Sequence, residues 1–538
     1  MRSQATAFFR HPLWIILVAM TAQVAPATAT ANAVFQYALP VATVKEARTA
    51  FLWIPPQATR IRGAFVTGLT LAERHMVRDS RIRKACADQG LAIVFFNTGL
   101  DSVDVPKVMN EFAKISGYGE LATVPMFFAG HSAGGPQAKA AAVKHAARCF
   151  GVMQYRGGTP GGDGAFPPGI PALMMIGQFD EFGKVMRDET GRENWEGGRD
   201  GLAAFRAAND HNLGSIVVEP GGGHFGWTDR SAAYFALFLR KAAAAIGTTG
   251  APDAKATLDP ASGWLAELPS RTPGEKQPAP FRDFKGDHAR AGWHFDREMV
   301  DATADYHRAG FAKKDQFIRW TDPCSVEAGA RYFFNKVEWI GHGSFKVHPV
   351  YADVFPTVQK DGKGPVWPLA GKPAGRSTAP IQLRALGGPV TVAGADTLRI
   401  QFDALSPATN PGRVTFMAFS EGDARYRYVE QVGMLQRGFS GLLTGKAQVI
   451  TFPEPGNLKA GAAPLELRAT SDAGLRVEYY VAHGPARIEN GRLTIAEIPA
   501  RAIYPIAVKV VACQFGSGVE PRVTSAAPIE RVLQIEKP

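Results

Sequence analysis

The 538-residue chain predicts an α/β domain, built on a mainly parallel sheet with helices on both faces, followed by a β-rich region that ends in an immunoglobulin-like β-sandwich. Three observations carry this. Between residues 35 and 245 apolar segments alternate between strand-like and helix-like periods, as crossover connections in a parallel sheet require. The apolar run Met126-Phe127-Phe128-Ala129 leads into Gly130-His131-Ser132-Ala133-Gly134 and then an Ala-rich helical stretch, so a G-x-S-x-G segment sits between strand and helix. After Gly247 the pattern changes to short alternating strands punctuated by Gly, Pro, Asn and Asp.

Taken in order, residues 49–54 and 62–67 read as strands, 81–88 as a helix, 91–97 as a strand and 106–115 as a helix. The strand at 124–129 and the helix at 137–148 flank the G-x-S-x-G turn. Three more strands follow at 149–155, 172–176 and 215–219, with helices at 202–209 and 232–245. A chain this long exceeds one core, so several domains are expected: the α/β unit at 34–247, a Pro/Ala/Thr-rich linker at 248–285, a mixed, mainly β domain at 286–445 and a sandwich at 446–538. One amphipathic helix is expected at 296–309, and the sandwich is read from strands at 465–469, 476–482, 492–495, 506–512 and 531–535 with an Asn490-Gly491 hairpin signal.

At the N-terminus, Arg2 and Arg10 precede the apolar run at 13–20 and an Ala/Thr-rich stretch ending in Ala31-Asn32-Ala33. This is the pattern of a secretory signal peptide over 1–33, with an apolar run too short to span a bilayer. The expected location is secreted or periplasmic, with no integral membrane span after signal cleavage. The net charge of +11 is dispersed with no run of five basic residues, so no nucleic acid partner is expected. Cys86, Cys149, Cys324 and Cys513 lack metal-ligand spacing, and Cys86 and Cys149 read as buried free thiols.

The chemistry centres on Ser132. A serine hydroxyl needs a histidine to take its proton and an acid to orient that histidine. Asp180 ends the apolar run 173–179 in a G-x-x-D register, with the neighbouring Glu181 as the alternative acid, and His224 follows Gly221-Gly222-Gly223 just after a strand. His131 lies inside the turn, His145 on the following helix and His211 before the last strand, all poorly placed for a base. The Ala133 N–H, at the start of a helix, suits an oxyanion, and the Leu69 N–H after the strand 63–67 is the expected second donor, with no H-G-G-G motif present. Trp195, in the excursion 182–200, and Trp227, beside His224, are candidate substrate contacts. No metal or organic cofactor is implied.

These residues resemble the α/β-hydrolase superfamily over roughly the first half of the mature chain. Carried onto this sequence, the resemblance implies Ser132 as nucleophile, Asp180 as acid, His224 as base and Ala133 as an oxyanion donor. Within the superfamily the chain looks like secreted bacterial serine esterases with appended β-domains, often active on carbohydrate esters. No arginine follows Ser132, unlike the G-x-S-R-x-G elbow of glucuronoyl esterases. The expected activity is hydrolysis of a small-molecule or polysaccharide carboxylic ester, with a peptidase of the same fold or a non-catalytic carbohydrate-binding protein as alternatives. The β-rich half is expected to scaffold the α/β domain or recruit it to a polymer.

Overall fold

A computed structural model describes residues 33–538 except 43–46, 162–165, 181–192, 247–256, 272–273, 275, 309, 322–331, 335, 356–368 and 436–442. Residues 1–32, which hold all but the last residue of the expected signal peptide, lie outside the described residues, as do Glu181 and Cys324.

Eight strands form one sheet: β1 (Tyr37–Ala42), β2 (Ala47–Trp53), β3 (Gly63–Gly68), β4 (Leu91–Phe96), β5 (Met126–His131), β6 (Cys149–Tyr155), β7 (Ala172–Gly177) and β8 (Gly214–Glu219). Their order is β1-β2-β4-β3-β5-β6-β7-β8. The pairings β1/β2 and β2/β4 are antiparallel, and all others are parallel. This is the strand order of the α/β-hydrolase fold, as the sequence predicts. Among the described residues, helices α1 (Glu73–Met76), α2 (Ser80–Asp88), α3 (Val105–Ser116), α4 (Gly134–Lys144), α5 (Asn194–Ala208) and α6 (Asp229–Ala245) connect or follow its strands and help cover it.

Burial on both faces explains why β3 to β8 read as continuous apolar runs rather than alternating ones, since every residue in them is buried. The period-2 geometry still sorts their side chains. Val66, Val94, Phe128 and Val152 pack with Met109 and Phe112 of α3 and Ala138 of α4, whereas Phe65, Ile93, Phe127 and Met153 pack with Ala85 of α2 and Phe235 and Leu239 of α6.

The stretch expected as a linker, 248–285, is instead largely folded in its described part. β9 (Trp264–Glu267) pairs antiparallel with β10 (Ala279–Pro280) and with β11 (Ala291–His294). Leu265, Phe284 and Trp293 close over Leu213 of the α/β unit. The next helix, α7 (Arg297–Arg308), also belongs to that unit: Val218 of the edge strand β8 donates its N–H to His307 Nε2 at 3.1 Å, and Tyr306 Oη donates to Glu219 at 2.8 Å. The Pro and Gly residues that suggest a linker mark turns between very short strands, too short to show periodicity.

Beyond α7, strands Tyr332–Phe334, Val429–Leu435, Thr415–Ser420 and Gln382–Gly387 form one sheet, and Glu338–Trp339, Ser344–Lys346, Thr397–Ile400 and Val390–Val392 another, around Trp320, Phe334, Phe345, Leu398 and Phe416. In the last region Leu458–Lys459, Ile529–Glu536, Ile506–Cys513 and Glu478–His483 form a sheet in that order, and Leu465–Glu466, Arg492–Ile495 and Ala486–Glu489 a second. This region docks on the α/β unit, where Arg501 pairs with Glu120 at 2.9 Å and Gly484 donates its N–H to the Phe35 carbonyl at 2.8 Å. Cys86, Cys149 and Cys513 are buried and unpaired, and burial pushes the Cys149 thiol up to about 12.

Several histidine rings are shielded enough from solvent to be held neutral, His294 fully buried and His75, His307 and His483 half-buried. Burial lowers His75, His294 and His483 to about 4 and His307 to about 3. In the unfolded chain these rings take protons below about pH 6.5 while the folded state refuses them, so stability is full above that pH and is lost as pH falls from 6.5 towards 4. Thermal melts should give a Tm at pH 5 lower than at pH 7 by about 5 °C or more. A Tm unchanged over this interval would contradict the neutral state of these rings in the fold.

Candidate active site

The turn between β5 and α4 places Ser132 at φ +54°, in the left-handed region that a residue with a Cβ rarely occupies. The sharpness of the turn demands small neighbours. A Cβ on Gly130 would lie 2.0 Å from the Gly134 carbonyl oxygen, and one on Gly157 would lie 2.1 Å from that of Ser132. The serine is therefore held from both sides by backbone. Its N–H donates to the Tyr155 carbonyl at 3.0 Å, and its own carbonyl accepts from the Gly135 N–H at 3.0 Å.

The structure brings Ser132, His224 and Asp180 together. Ser132 Oγ lies 2.8 Å from His224 Nε2, and His224 Nδ1 lies 3.0 and 2.9 Å from the two Asp180 carboxylate oxygens. Ser132 is partly exposed, whereas His224 and Asp180 are only 3% and 4% exposed, so the relay is dry behind a reachable hydroxyl. With Nδ1–H directed to Asp180, the lone pair of Nε2 faces the Ser132 hydroxyl. The Asp180 and His224 loops are joined by backbone, since Phe179 N–H donates to the Gly222 carbonyl at 2.8 Å.

Ala133, directly after the serine, is exposed, and its N–H has no acceptor among the described residues. It is free to meet an anion at the start of α4. Leu69 is a correction. Its N–H already donates to the Thr98 carbonyl at 2.8 Å, because the chain after β3 continues to pair with the loop after β4. The N–H groups of Thr70 and Leu71 are likewise taken, by Glu73 at 3.0 and 2.8 Å.

Both tryptophans are also corrections. Trp227 is 4% exposed and packs edge-on against Tyr155 and Phe235. Trp195 is fully buried, with its indole N–H on Glu193 at 2.6 Å and its ring against Phe311. Each large ring is worth more in the core than beside a solvated pocket, and neither is available to a substrate.

Two supports escape the sequence reading. Glu73 is buried at the elbow and accepts the His131 N–H at 2.7 Å as well as those of Thr70 and Leu71. Burial holds its carboxyl above the usual range despite these donors. The T-x-x-E spacing of Thr70 and Glu73 is a capping-box signal that marks it in the sequence. His131 is kept neutral, well below its ordinary pKa, by burial and by the adjacent His224, and its Nε2 sits 2.9 Å from the His224 carbonyl.

No family model and no curated protein sequence matches this chain. Among solved structures, it is similar to Est1E from Butyrivibrio proteoclasticus, at 14% identity over 38% of this chain and 96% of that one, with a TM-score of 0.26. It is also similar to an S-formylglutathione hydrolase from Agrobacterium tumefaciens, at 16% identity over 39% and 95% with a TM-score of 0.28. A third is LpqC, a poly(3-hydroxybutyrate) depolymerase from Bordetella parapertussis, at 16% identity over 39% and 90% with a TM-score of 0.27.

The elbow geometry makes a steric prediction. Gly157→Ala drives a methyl group into the Ser132 backbone and should slow covalent labelling of the serine by a fluorophosphonate about tenfold or more. Gly119→Ala, where an added Cβ meets nothing within 4 Å, should leave labelling unchanged. Equal labelling of both variants would contradict the buttressing role of Gly157.

Proposed function

We propose that this chain, whose N-terminal region has the α/β-hydrolase fold, is a serine hydrolase that cleaves carboxylic esters through an acyl-enzyme. The observation that carries the reading is the unbroken relay from Ser132 Oγ through both ring nitrogens of His224 to Asp180, set on a left-handed elbow. In this reading Ser132 attacks the ester carbonyl as His224 takes its proton. His224 then returns the proton to the leaving alcohol, and water repeats the sequence on the acyl group. Asp180 fixes the Nδ1–H tautomer and supports the imidazolium that forms. The Ala133 N–H meets the oxyanion.

The substrate class is an ester of a small molecule or of a polysaccharide, met outside the cytoplasm. The support is the signal-like N-terminal sequence and the attached β-rich regions. We read the last of these as an immunoglobulin-like sandwich. Its support is the parallel pairing of Leu458–Lys459 with Ile529–Glu536 at the edge of one sheet and the order Leu465–Glu466, Arg492–Ile495, Ala486–Glu489 in the other.

Ser132→Ala should abolish hydrolysis of aryl esters and labelling by a fluorophosphonate, with the circular dichroism spectrum unchanged. Labelling that persists removes Ser132 as nucleophile. Asp180→Asn should lower kcat by about 10³ to 10⁴, because the amide favours the wrong tautomer of His224, while Glu181→Gln should change it little. The reverse ranking assigns the acid to Glu181. A parallel screen of acetylated and feruloylated sugars, uronate esters and peptide amides decides between esterase and peptidase.

A further inference from the structure

The loop that carries His224 is held largely from outside the α/β unit. Phe225, the next residue, is buried in an apolar cluster with Leu386, Met417, Phe419, Tyr428 and Val432 of the middle β-rich region. Gly226 donates its N–H to Glu430 Oε1 at 3.0 Å, and a Cβ on Gly226 would lie 2.1 Å from Glu430 Oε2. The Trp227 carbonyl accepts from Arg384. At the start of the loop, Gly221 donates to Gln178 Oε1 at 2.9 Å, and the same oxygen accepts from Arg427 Nη1 at 2.8 Å.

Glu430 also reaches the elbow side of the site. Its Oε1 takes Arg156 Nη1 at 2.7 Å, and Arg156 immediately precedes Gly157, the residue that abuts Ser132. The Arg156 and Glu430 side chains are 1% and 5% exposed. Glu219, 3.2 Å from Arg156 Nη2, shares the charge. Tyr428 Oη donates to Glu430 Oε2 at 2.8 Å. One carboxylate thus touches the loop of the base and the residue beside the buttress of the nucleophile.

We infer that the middle β-rich region is part of the catalytic apparatus, and that Glu430 is a positioning residue that sets His224 against Ser132 through the Gly226 N–H and Arg156. The inference rests on the serine hydrolase reading above. Glu430 contacts no reacting atom. Its partners, the Gly226 N–H, the Arg156 guanidinium and the Tyr428 hydroxyl, are all donors, so both of its oxygens must accept. A glutamine is neutral, so Arg156 loses one of its two carboxylate partners, and the NH₂ in place of Oε2 reverses the hydrogen bond with the Tyr428 hydroxyl. It leaves the fold's volume intact but breaks this set, and a displacement of order 1 Å at a catalytic group costs about 10²-fold in rate.

The test uses the full chain. Glu430→Gln should lower kcat for an aryl ester about 10- to 100-fold, leave KM within about threefold and slow fluorophosphonate labelling of Ser132 by the same factor as kcat. Arg501→Ala, which breaks a contact of the last region with Glu120, serves as the control: it lowers Tm without changing kcat. If Glu430→Gln does not fold, Tyr428→Phe decides, with an expected fall in kcat of about threefold or more at unchanged KM. Either variant losing thermal stability while kcat and labelling per folded molecule stay at the parent level overturns the inference, because Glu430 is then only structural. A parent protein that neither labels nor turns over aryl esters sinks the serine hydrolase reading and the inference with it. A parent that labels and a Glu430→Gln variant that matches it sink the inference alone.

Discussion

The left-handed backbone at Ser132 is the constraint on which the surrounding structure depends. At φ +54° the residue is strained, and such a conformation persists only where its neighbours over-determine it. Here they do so from four directions. β5 delivers the chain, α4 takes it away, Gly157 blocks it from the side, and Glu73 fixes the preceding His131 through its N–H. The turn leaves the hydroxyl outward and the Ala133 N–H uncommitted, so one distortion places both groups that the proposed mechanism uses.

The α/β half was legible because its signals are local and repeated. Six strands buried on both faces give apolar runs, and the turn at Ser132 requires glycines at fixed offsets. The placement of Asp180 and His224 near Ser132 is legible for the same reason, since each follows a readable strand in chain order. Leu69 was misread because nothing local tells whether an N–H after a strand is free or, as here, paired to the loop beyond a neighbouring strand. The two tryptophans were misread because proximity in sequence to His224 or to a long excursion says nothing about which way a ring turns. The linker was misread because strands of two to four residues have no period to detect.

What sequence could not offer is the dependence of the site on residues far along the chain. Arg156 and Glu430 are 274 positions apart, yet they meet in the same buried ion pair. A buried pair of this kind adds little net stability over an apolar replacement, because the desolvation of both charges offsets their attraction. What it does supply is register: a guanidinium with two carboxylate partners and a carboxylate with three donor partners admit one arrangement. The β-rich region accordingly reads less as an attachment than as the outer wall of the His224 loop. α7 and the β9–β11 sheet likewise complete the edge of the α/β unit rather than connect it to something else.

In the proposed mechanism Ser132 becomes acylated during turnover. The most direct measurement is rapid-quench mass spectrometry of the full chain mixed with an activated acetyl ester, followed by peptide mapping. Acylation of Ser132 predicts a transient acetyl adduct confined to the peptide containing Ser132, appearing in a burst and decaying as product accumulates. Steady turnover with no covalent adduct, or an adduct on a different residue, would contradict it.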